Sequence, residues 1–273
     1  MTTWLITGAS SGLGRALAEH VLATGHQVVA TARNTSALDD LQAAYPQTAM
    51  VAPLDVANPS SIDAALAAAE ECFAGIDVLV NNAGYGYTAA VEEGEDEAVA
   101  RLYATSFFGP VAVIKAALPG MRRRGEGVIV NISSVGARIT IPGGGYYSAA
   151  KAALEGLSGS LRKEVEPLGL RVMVVEPGSF RTDFRGRSAE HSSIRIGAYD
   201  QALGRTGAPV LAPQRGAPDK AAAAILQAAE EGEPPKLLLL GSDALGGFRA
   251  AADDAARDVE RFEQLSCSTD ATS

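Results

Sequence analysis

Cysteine is scarce in this chain of 273 residues, which contains only Cys72 and Cys267. Two thiols cannot build a disulfide framework, so the fold must be stabilised mainly by a hydrophobic core. A hydrophobic fraction of 47% with a charged fraction of 20% excludes an intrinsically disordered chain. The same scarcity of cysteine favours a reducing compartment, and we expect a cytoplasmic protein.

Positive charge is also in deficit, and histidine is rare. Lys and Arg number 23 against 32 Asp and Glu, a net charge of −9. An acidic chain repels phosphate backbones, so nucleic acid is not an expected partner. The first apolar run stops at Gly8, too short to span a membrane, and it has no basic leader, so no membrane partner is expected. His20, His26 and His191 have no ligand partners at useful spacing, so no metal site is indicated.

What the sequence does contain is a regular alternation of short apolar runs and helical stretches. The runs are continuous in Val, Ile and Leu, which is typical of strands covered on both faces in a parallel sheet. Seven strands are predicted: Trp4–Thr7, Gln27–Thr31, Ala49–Leu54, Asp77–Val80, Val128–Ile132, Arg171–Val175 and Lys236–Leu240. The alternation predicts an α/β fold over residues 1–273, a single doubly wound (Rossmann-type) domain with a seven-stranded parallel sheet flanked by helices.

Two regions depart from this alternation. Residues 179–215 are rich in Gly, Arg and Ser without a clean period, which predicts a variable substrate loop. The tail predicts a C-terminal helix over about 242–265, with an apolar stripe whose residues are spaced 3-4-3-4-3. The stripe contains Leu245, Phe248, Ala252, Ala255, Val259 and Phe262. We expect it to pack on its own domain; a subunit contact is the alternative.

The first strand leads directly into a glycine-rich loop, Thr7–Gly14, and then into a helix. Gly8, Gly12 and Gly14 let the backbone turn sharply and approach a ligand closely. The helix start behind them offers unpaired N–H groups and a positive dipole end, which suit a pyrophosphate. The segment therefore predicts a dinucleotide site, with a plain tight turn as the alternative.

The spacing T-G-x-x-x-G-x-G resembles the short-chain dehydrogenase/reductase family, and further motifs follow in family order over roughly residues 4–182. These motifs are Asp55-Val56, Asn81-Asn82-Ala83-Gly84, Tyr147-x-x-x-Lys151, and Pro177-Gly178 with Thr182. The resemblance implies that the glycines hold the pyrophosphate, Asp55 and Val56 bracket the adenine, and Thr182 binds the nicotinamide carboxamide. Asn81, Ala83 and Gly84 would support the sheet and touch the ribose. Turn capping is the alternative for the polar residues. The predicted cofactor-binding residues are Gly8, Ser10, Ser11, Gly12, Leu13, Gly14, Arg33, Asp55, Val56, Asn81, Ala83, Gly84, Tyr147, Lys151, Pro177, Gly178 and Thr182.

The end of the second strand favours NADP(H) as the cofactor. NAD binders place an acidic residue there for the ribose hydroxyls, and by family alignment that position falls on Ala32. Arg33 follows, and a guanidinium can pair with a 2′-phosphate through two charge-assisted hydrogen bonds. Ser10 could add a contact. A solvated surface arginine, and with it an NAD-linked enzyme, is the alternative.

The chemistry is predicted to depend on Tyr147 and Lys151, which are four residues apart and share one face of a helix. Tyrosine ordinarily has a pKa of about 10, which a nearby ammonium and an oxidised nicotinamide would lower. Tyr147 would then exchange a proton with a substrate oxygen, and the resemblance implies that Lys151 also holds the nicotinamide ribose. By family spacing Ser134 hydrogen-bonds the substrate oxygen, with Ser133 as the competing residue.

One position departs from the family pattern. Where the family usually has an asparagine thought to hold a water that links the lysine to solvent, this chain has Ser106. Serine is shorter and has no amide, so the departure bears on the proton pathway rather than on the hydride step.

The sequence therefore predicts an NADP(H)-dependent oxidoreductase that moves a hydride to or from a carbonyl or secondary alcohol. Tyr85, Tyr87, Ile139, Ile141 and Phe180 predict an apolar lining for a small hydrophobic substrate. A non-catalytic protein that senses NADP is the rival hypothesis, since fold alone does not fix function. The resemblance also implies a homodimer or homotetramer.

Overall fold

The central sheet has seven parallel strands in the order β3-β2-β1-β4-β6-β7-β9. The structure is a computed structural model that describes residues 1–182, 184, 186, 188–206 and 214–271. The sheet strands are β1 (Thr3–Ile6), β2 (Gln27–Ala32), β3 (Ala49–Pro53), β4 (Val78–Asn81), β6 (Gly127–Ile132), β7 (Leu170–Pro177) and β9 (Leu237–Leu240). A separate parallel pair joins β5 (Gly86–Thr88) to β8 (Ala189–His191). All seven predicted strands are confirmed, with ends that differ by one or two residues.

Helices cover both faces of this sheet, as the doubly wound prediction requires. They are α1 (Gly12–Ala23), α2 (Asp39–Ala44), α3 (Pro59–Phe73), α4 (Asp96–Tyr103), α5 (Gly109–Arg124), α6 (Gly145–Val165), α7 (Pro218–Glu230), α8 (Ser242–Arg261) and α9 (Glu263–Cys267). A π-helical turn, Ala104–Phe108, joins α4 to α5.

Two hydrophobic cores follow from the alternation of side chains along the strands. Ile6 of β1 packs in one core with residues of α1 and α7, including Leu17 and Ile225. Its neighbour Leu5 packs in the other core with residues of α3 and α5, including Ile62 and Val113. Because both faces are covered, the strands read as continuous apolar runs.

One helical run, Asp96–Arg124, is long and apolar enough to cross a membrane by length and composition alone. Val113, Ile114, Ala117 and Met121 of its second half are buried in the core on one face of the sheet. A helix that packs in a protein core passes the same test, so this run is weak support for a membrane span.

The C-terminal helix is confirmed but its apolar stripe is only partly covered. Ala244 is buried in the first turn and Phe248 is half-buried. Val259 is 70% exposed and Phe262 is 47% exposed, at the break between α8 and α9. The expected packing on its own domain therefore holds only for the start of the stripe, because α8 runs away from the sheet. A subunit contact for the rest stays a prediction.

Candidate active site

A cavity of about 560 Å³ lies at the carboxyl ends of the strands. Doubly wound sheets bind their ligands at this edge, where the loops after successive strands meet. Most of the predicted site residues line it: Gly8, Ser10, Ser11, Gly12, Leu13, Arg33, Asp55, Val56, Ala83, Gly84, Ser134, Tyr147, Lys151, Pro177, Gly178 and Thr182. The fold thus brings into one cavity residues that are spread from 8 to 182 along the chain.

Three predicted residues, Gly14, Asn81 and Ser106, lie outside the cavity lining. A side chain at Gly14 would collide with the Asn82 amide and the Gly8 carbonyl, so this glycine permits close packing behind the loop. Asn81 is buried, and its Nδ2 donates to Asn131 Oδ1 at 2.9 Å. Asn81 therefore supports the sheet as expected, and because its side chain bonds to β6, the contact with a ribose stays a prediction.

The glycine loop has the backbone shape that a phosphate cradle requires. Gly8 and Gly12 have φ values of 68° and 58°, which L side chains rarely adopt. A Cβ on Gly8 would also lie 2.9 Å from Ala83 Cα. The Ser11 side chain makes no cap hydrogen bond at the start of α1, so side-chain capping does not occupy the N–H groups that face the cavity.

Asn82 holds this loop in place, a role that the sequence analysis did not assign. Its Nδ2 donates to the carbonyls of Thr7 at 2.9 Å and Gly8 at 3.1 Å, while the Thr7 hydroxyl accepts from the Asn82 backbone N–H at 2.9 Å. Its position inside the Asn81–Gly84 motif was the available signal. A carboxamide can bond two carbonyls at once only when the strand ends are adjacent, which the sequence does not show directly.

Arg33 and Asp55 line one end of the cavity, after β2 and β3 at the edge of the sheet. Arg33 is exposed and lines the cavity, and among the described residues it makes no ion pair or hydrogen bond. Ala32, which precedes it, also lines the cavity and brings no carboxylate. One oxygen of Asp55 accepts from Ala57 N at 2.9 Å, and the residue also lines the cavity. Asp55 therefore caps a turn, which was the alternative prediction, and lies in the predicted site as well.

Tyr147, Lys151 and Ser134 meet at the other end of the cavity. Tyr147 and Lys151 lie one turn apart on α6, and Lys151 Nζ is 5.8 Å from the centroid of the Tyr147 ring. Lys151 is buried and donates to the Ile132 carbonyl at 2.8 Å, which fixes its ammonium at the end of β6. Ser134 follows the same strand, and its hydroxyl hydrogen-bonds Tyr147.

Burial, rather than the lysine, dominates the ionisation of this pair in the chain itself. Desolvation raises the pKa of Tyr147 to about 12, and the hydrogen bond from Ser134 opposes it. Desolvation also lowers the pKa of Lys151 to about 8, and the negative charge of Glu155 opposes that shift. In the chain without cofactor, the loss of water around the phenol therefore shifts the pKa of Tyr147 upward. The lowering expected from Lys151 and an oxidised nicotinamide stays a prediction.

The two serines after β6 point to different partners. Ser133 donates to Glu155 Oε1 at 2.6 Å, whereas Ser134 bonds to Tyr147 and accepts from Gly136 N at 3.0 Å. The preference for Ser134 over Ser133 agrees with this geometry. Tyr146, next to Tyr147, donates instead to the Val91 carbonyl at 2.7 Å, so its hydroxyl joins α6 to the segment after β5.

Ser106 lies in the π-helical turn behind the cavity wall. It is fully buried, and its hydroxyl has no hydrogen-bond partner among the described residues. A Cβ placed on Gly84 would lie 3.8 Å from Ser106 Oγ and 3.6 Å from Lys151 Nζ, so both groups face the same small space. The structure therefore places Ser106 beside Lys151, one layer behind the residues that line the cavity.

The predicted apolar lining for the substrate is found only in part. Tyr85 and Phe180 line it, whereas Tyr87, Ile139 and Ile141 are not in its described lining. Tyr87 is 2% exposed because it faces a small core beneath β5, and Ile141 is 65% exposed to solvent. Ile139 packs instead against α8 at Gly247.

Phe184 supplies an aromatic wall that the sequence analysis missed. Its ring lies 5.7 Å from the Tyr147 ring, tilted by 59°. The predicted substrate loop around it is described only in part, since residues 183, 185, 187 and 207–213 lie outside the described residues. No periodic pattern marks Phe184, so only the folded loop could identify it.

The described part of the loop is attached to the segment after β5. Arg205 makes a bidentate pair with Glu93, with N–O distances of 2.8 and 2.6 Å. Glu93 also accepts from Ile196 N at 2.7 Å, and the hydrogen bonds from Arg205 lower its pKa to about 2. These contacts attach residues 192–205 to the segment after β5.

Comparison with known proteins agrees with this geometry. A family model described as short chain dehydrogenase matches residues 2–193. Oxidoreductase BOA17 of Botryotinia fuckeliana (strain B05.10) is 36% identical over 270 residues, which cover 96% of this chain and 97% of that protein. The crystal structure of a short-chain dehydrogenase from Streptomyces avermitilis is 44% identical, with a TM-score of 0.92 and coverage of 99% of this chain and 100% of that one.

Solved structures with bound dinucleotides are also similar to this chain. An alcohol dehydrogenase from the archaeon Thermococcus sibiricus, complexed with 5-hydroxy-NADP, is 27% identical with a TM-score of 0.72 and coverage of 88% and 96% of the two chains. A short chain dehydrogenase from Burkholderia cenocepacia J2315, solved in complex with NADP, is 26% identical with a TM-score of 0.74.

Proposed function

Because this chain belongs to the short-chain dehydrogenase/reductase family of oxidoreductases, we propose that it transfers a hydride between NADP(H) and the carbonyl or secondary alcohol carbon of a small hydrophobic substrate. The resemblance found in the sequence is thereby confirmed. The observation that carries the proposal is the convergence of Tyr147, Lys151 and Ser134 in a cavity that the glycine loop also lines.

The residues of the cavity fit a nicotinamide dinucleotide. The glycine loop would hold the pyrophosphate, because side chains at Gly8 and Gly12 would be strained and the N–H groups at the start of α1 face the cavity. Thr182 packs against the glycine loop near Gly12, where it would reach the carboxamide. When bound, this cofactor supplies or accepts the hydride.

NADP(H) is the form we propose. The second strand ends in Ala32, so no carboxylate stands where it would bond both ribose hydroxyls or repel a 2′-phosphate. Arg33 is exposed at the cavity and has no ion-pair partner among the described residues, so it is available to a phosphate.

Tyr147 is the proposed proton donor and acceptor. A phenol whose pKa burial has raised to about 12 is protonated at neutral pH, so it is ready to donate to a carbonyl oxygen during reduction. Ser134 would hold that oxygen through its hydroxyl, which already lies within hydrogen-bonding reach of Tyr147. In the alcohol-oxidising direction the phenol must lose its proton, and the ammonium of Lys151 would then stabilise the phenolate.

The decisive experiment compares Tyr147→Phe with Tyr146→Phe in an assay of NADPH oxidation with a panel of hydrophobic ketones. Tyr147→Phe should lose about 10²- to 10⁴-fold in turnover, since it removes the proton donor, and should bind NADPH as the wild type does. Tyr146→Phe, a neighbour with a structural bond, should keep its turnover. Equal turnover in Tyr147→Phe would contradict the proposal, and no turnover in any wild-type assay would favour the sensing protein.

The proposed place of action is the cytoplasm. Cys72 and Cys267 are both free and exposed, a state that a reducing compartment preserves. Fractionation of the source cells, with the enzyme followed by antibody, tests this part of the proposal.

A further inference from the structure

Helix α6 carries a third ionisable group on the same face as Tyr147 and Lys151. Glu155 is four residues after Lys151, so the three side chains follow one another along the helix. Its side chain is only 10% exposed and accepts from the Ser133 hydroxyl at 2.6 Å. Ser133 directly follows Ile132, whose carbonyl accepts from Lys151 Nζ. Glu155 is thus attached to the same strand end as the lysine, yet the chemistry above does not use it.

A second carboxyl lies against Glu155. Glu176 of β7 has a fully buried side chain, and Arg138 joins the two acids: its Nη2 is 2.6 Å from Glu155 Oε2 and its Nε donates to Glu176 Oε1 at 3.0 Å. One guanidinium neutralises only one of two carboxylates, and like charges this close resist double ionisation.

The surroundings of Glu155 favour its neutral form. The fully buried Glu176 carboxyl lies against it and brings a like charge, and the Glu155 side chain is itself nearly buried. Burial, together with the charge and the hydrogen bond of Glu176, raises the pKa of Glu155 to about 7. Glu155 therefore takes up a proton close to neutral pH.

We propose that Glu155, which Ser133 and Arg138 hold beside Glu176, is a positioning residue that sets the charge beside Lys151 and with it the pH range of the Tyr147–Lys151 pair. This inference rests on the proposed function. The charged groups that face Glu155 are Lys151 on its own helix, Arg138 after the turn that follows β6, and Glu176 on β7.

The direction of the effect follows from electrostatics. An ionised Glu155 raises the pKa of Lys151 and opposes the loss of any proton nearby. Removing that charge makes it easier for the pair to lose a proton, whether the proton leaves the phenol or the ammonium. The apparent pKa of the pair must then fall, whichever group is assigned to it.

The test is the pH profile of carbonyl reduction by Glu155→Gln. The amide keeps an oxygen to accept from Ser133 and gains an N–H₂ that can donate to Glu176. We expect the alkaline limb of kcat to move down by about half to one pH unit and the inflection near pH 7 to disappear. Glu155→Asp, which keeps the charge, should restore part of the profile. Glu164→Gln, on the exposed side of the same helix, should leave the profile unchanged.

A second readout needs no cofactor. The raised pKa of Glu155 adds stability that is complete below its unfolded value of 4.5 and is lost as the pH rises through about 7. The melting temperature of the wild type minus that of Glu155→Gln should therefore fall between pH 4.5 and 7. The corresponding difference for Glu164→Gln should stay flat. A flat difference for Glu155→Gln would contradict the raised pKa of Glu155.

The outcomes separate this inference from the proposed function. If Tyr147→Phe is inactive while the profile of Glu155→Gln overlays the wild type, the inference is wrong and the proposed function stands. If the wild type has no NADPH-dependent turnover, both are overturned. Should Glu155→Gln fail to fold, Glu176→Gln provides the second test: Glu155 would no longer face a like charge, so its inflection should move to lower pH. An unmoved inflection would overturn the inference.

Discussion

Lys151 keeps its ammonium in surroundings that disfavour charge. The side chain is 4% exposed, and burial lowers its pKa to about 8 although Glu155 opposes the shift. Between pH 8 and 10.5 the folded chain holds fewer protons at this site than the unfolded chain, so rising pH stabilises the fold. The residue that the proposed chemistry needs is therefore one that weakens the fold at neutral pH.

Lys151→Met should show how much the buried ammonium lowers the free energy of unfolding. Relative to the variant, the wild type should gain about 3 kcal/mol in free energy of unfolding between pH 8 and 10.5, because only the wild type loses a proton there on folding. Denaturant unfolding of both proteins across that range measures the difference. A difference that does not change with pH would contradict the lowered pKa.

Arg33 is the residue on which the choice of dinucleotide depends. Arg33→Ala should weaken NADPH binding by about tenfold to a hundredfold, since it removes charge-assisted hydrogen bonds to the 2′-phosphate. NADH, which lacks that phosphate, is the matched control and should bind about equally to both proteins. Calorimetric titration with each nucleotide checks this, and equal losses for NADH and NADPH would speak against the assignment.

At this scale the sequence predicts best those residues whose partners lie nearby along the chain. Tyr147 and Lys151 share a helix face, so their spacing alone places them together. Asn82 and Phe184 act through contacts with distant segments, at Gly8 and Tyr147, and their spacing along the chain does not show these contacts. The bond from Asn81 to Asn131 was not foreseen for the same reason, since the two residues are 50 apart.

Among the elements, the segment after β5 and the loop from 192 to 205 form the least expected pairing. Glu93 is fully buried and bonds Arg205 through both oxygens, while Glu92 makes one exposed bond to the Tyr199 hydroxyl. Because the pKa of Glu93 is lowered to about 2, its anchoring charge persists at neutral pH and is lost only as the pH falls toward that value.

Glu93→Gln should loosen this loop. Amide hydrogen exchange in residues 192–205 should speed up by about tenfold or more, because the bidentate charged pair is lost. Glu92→Gln, which removes only the charge from an exposed hydrogen bond, should change exchange much less. Comparable exchange in Glu93→Gln and the wild type would show that other contacts hold the loop.

The two short strands β5 and β8 were not predicted from the sequence. The seven sheet strands are covered on both faces and read as apolar runs, so they were found to within two residues. Strands β5 and β8 have three residues each, and of these only Tyr87 is buried. Three residues are too few to show an alternation of apolar and polar side chains, and the two paired segments are about a hundred residues apart in the chain.

On the scale of the whole molecule, the parallel sheet explains why so dispersed a site can form. Every strand of the sheet is parallel to its neighbours, so the loops that follow them open at one edge. The glycine loop after β1, the serines after β6 and the Pro177–Gly178 turn after β7 all reach one cavity there. The doubly wound parallel sheet was predicted from the alternation of strands and helices, whereas the path of the substrate loop depends on ion pairs such as Glu93–Arg205.

Transfer of deuterium from NADPH deuterated at the nicotinamide C4 tests the central claim most directly. With an accepted ketone, the wild type should place deuterium on the carbinol carbon of the product, as mass spectrometry would show, and Tyr147→Phe should yield almost none. Two samples of NADPH are needed, each labelled on one face of C4. A product without deuterium in both cases would contradict the account, and so would equal labelling of the product by Tyr147→Phe.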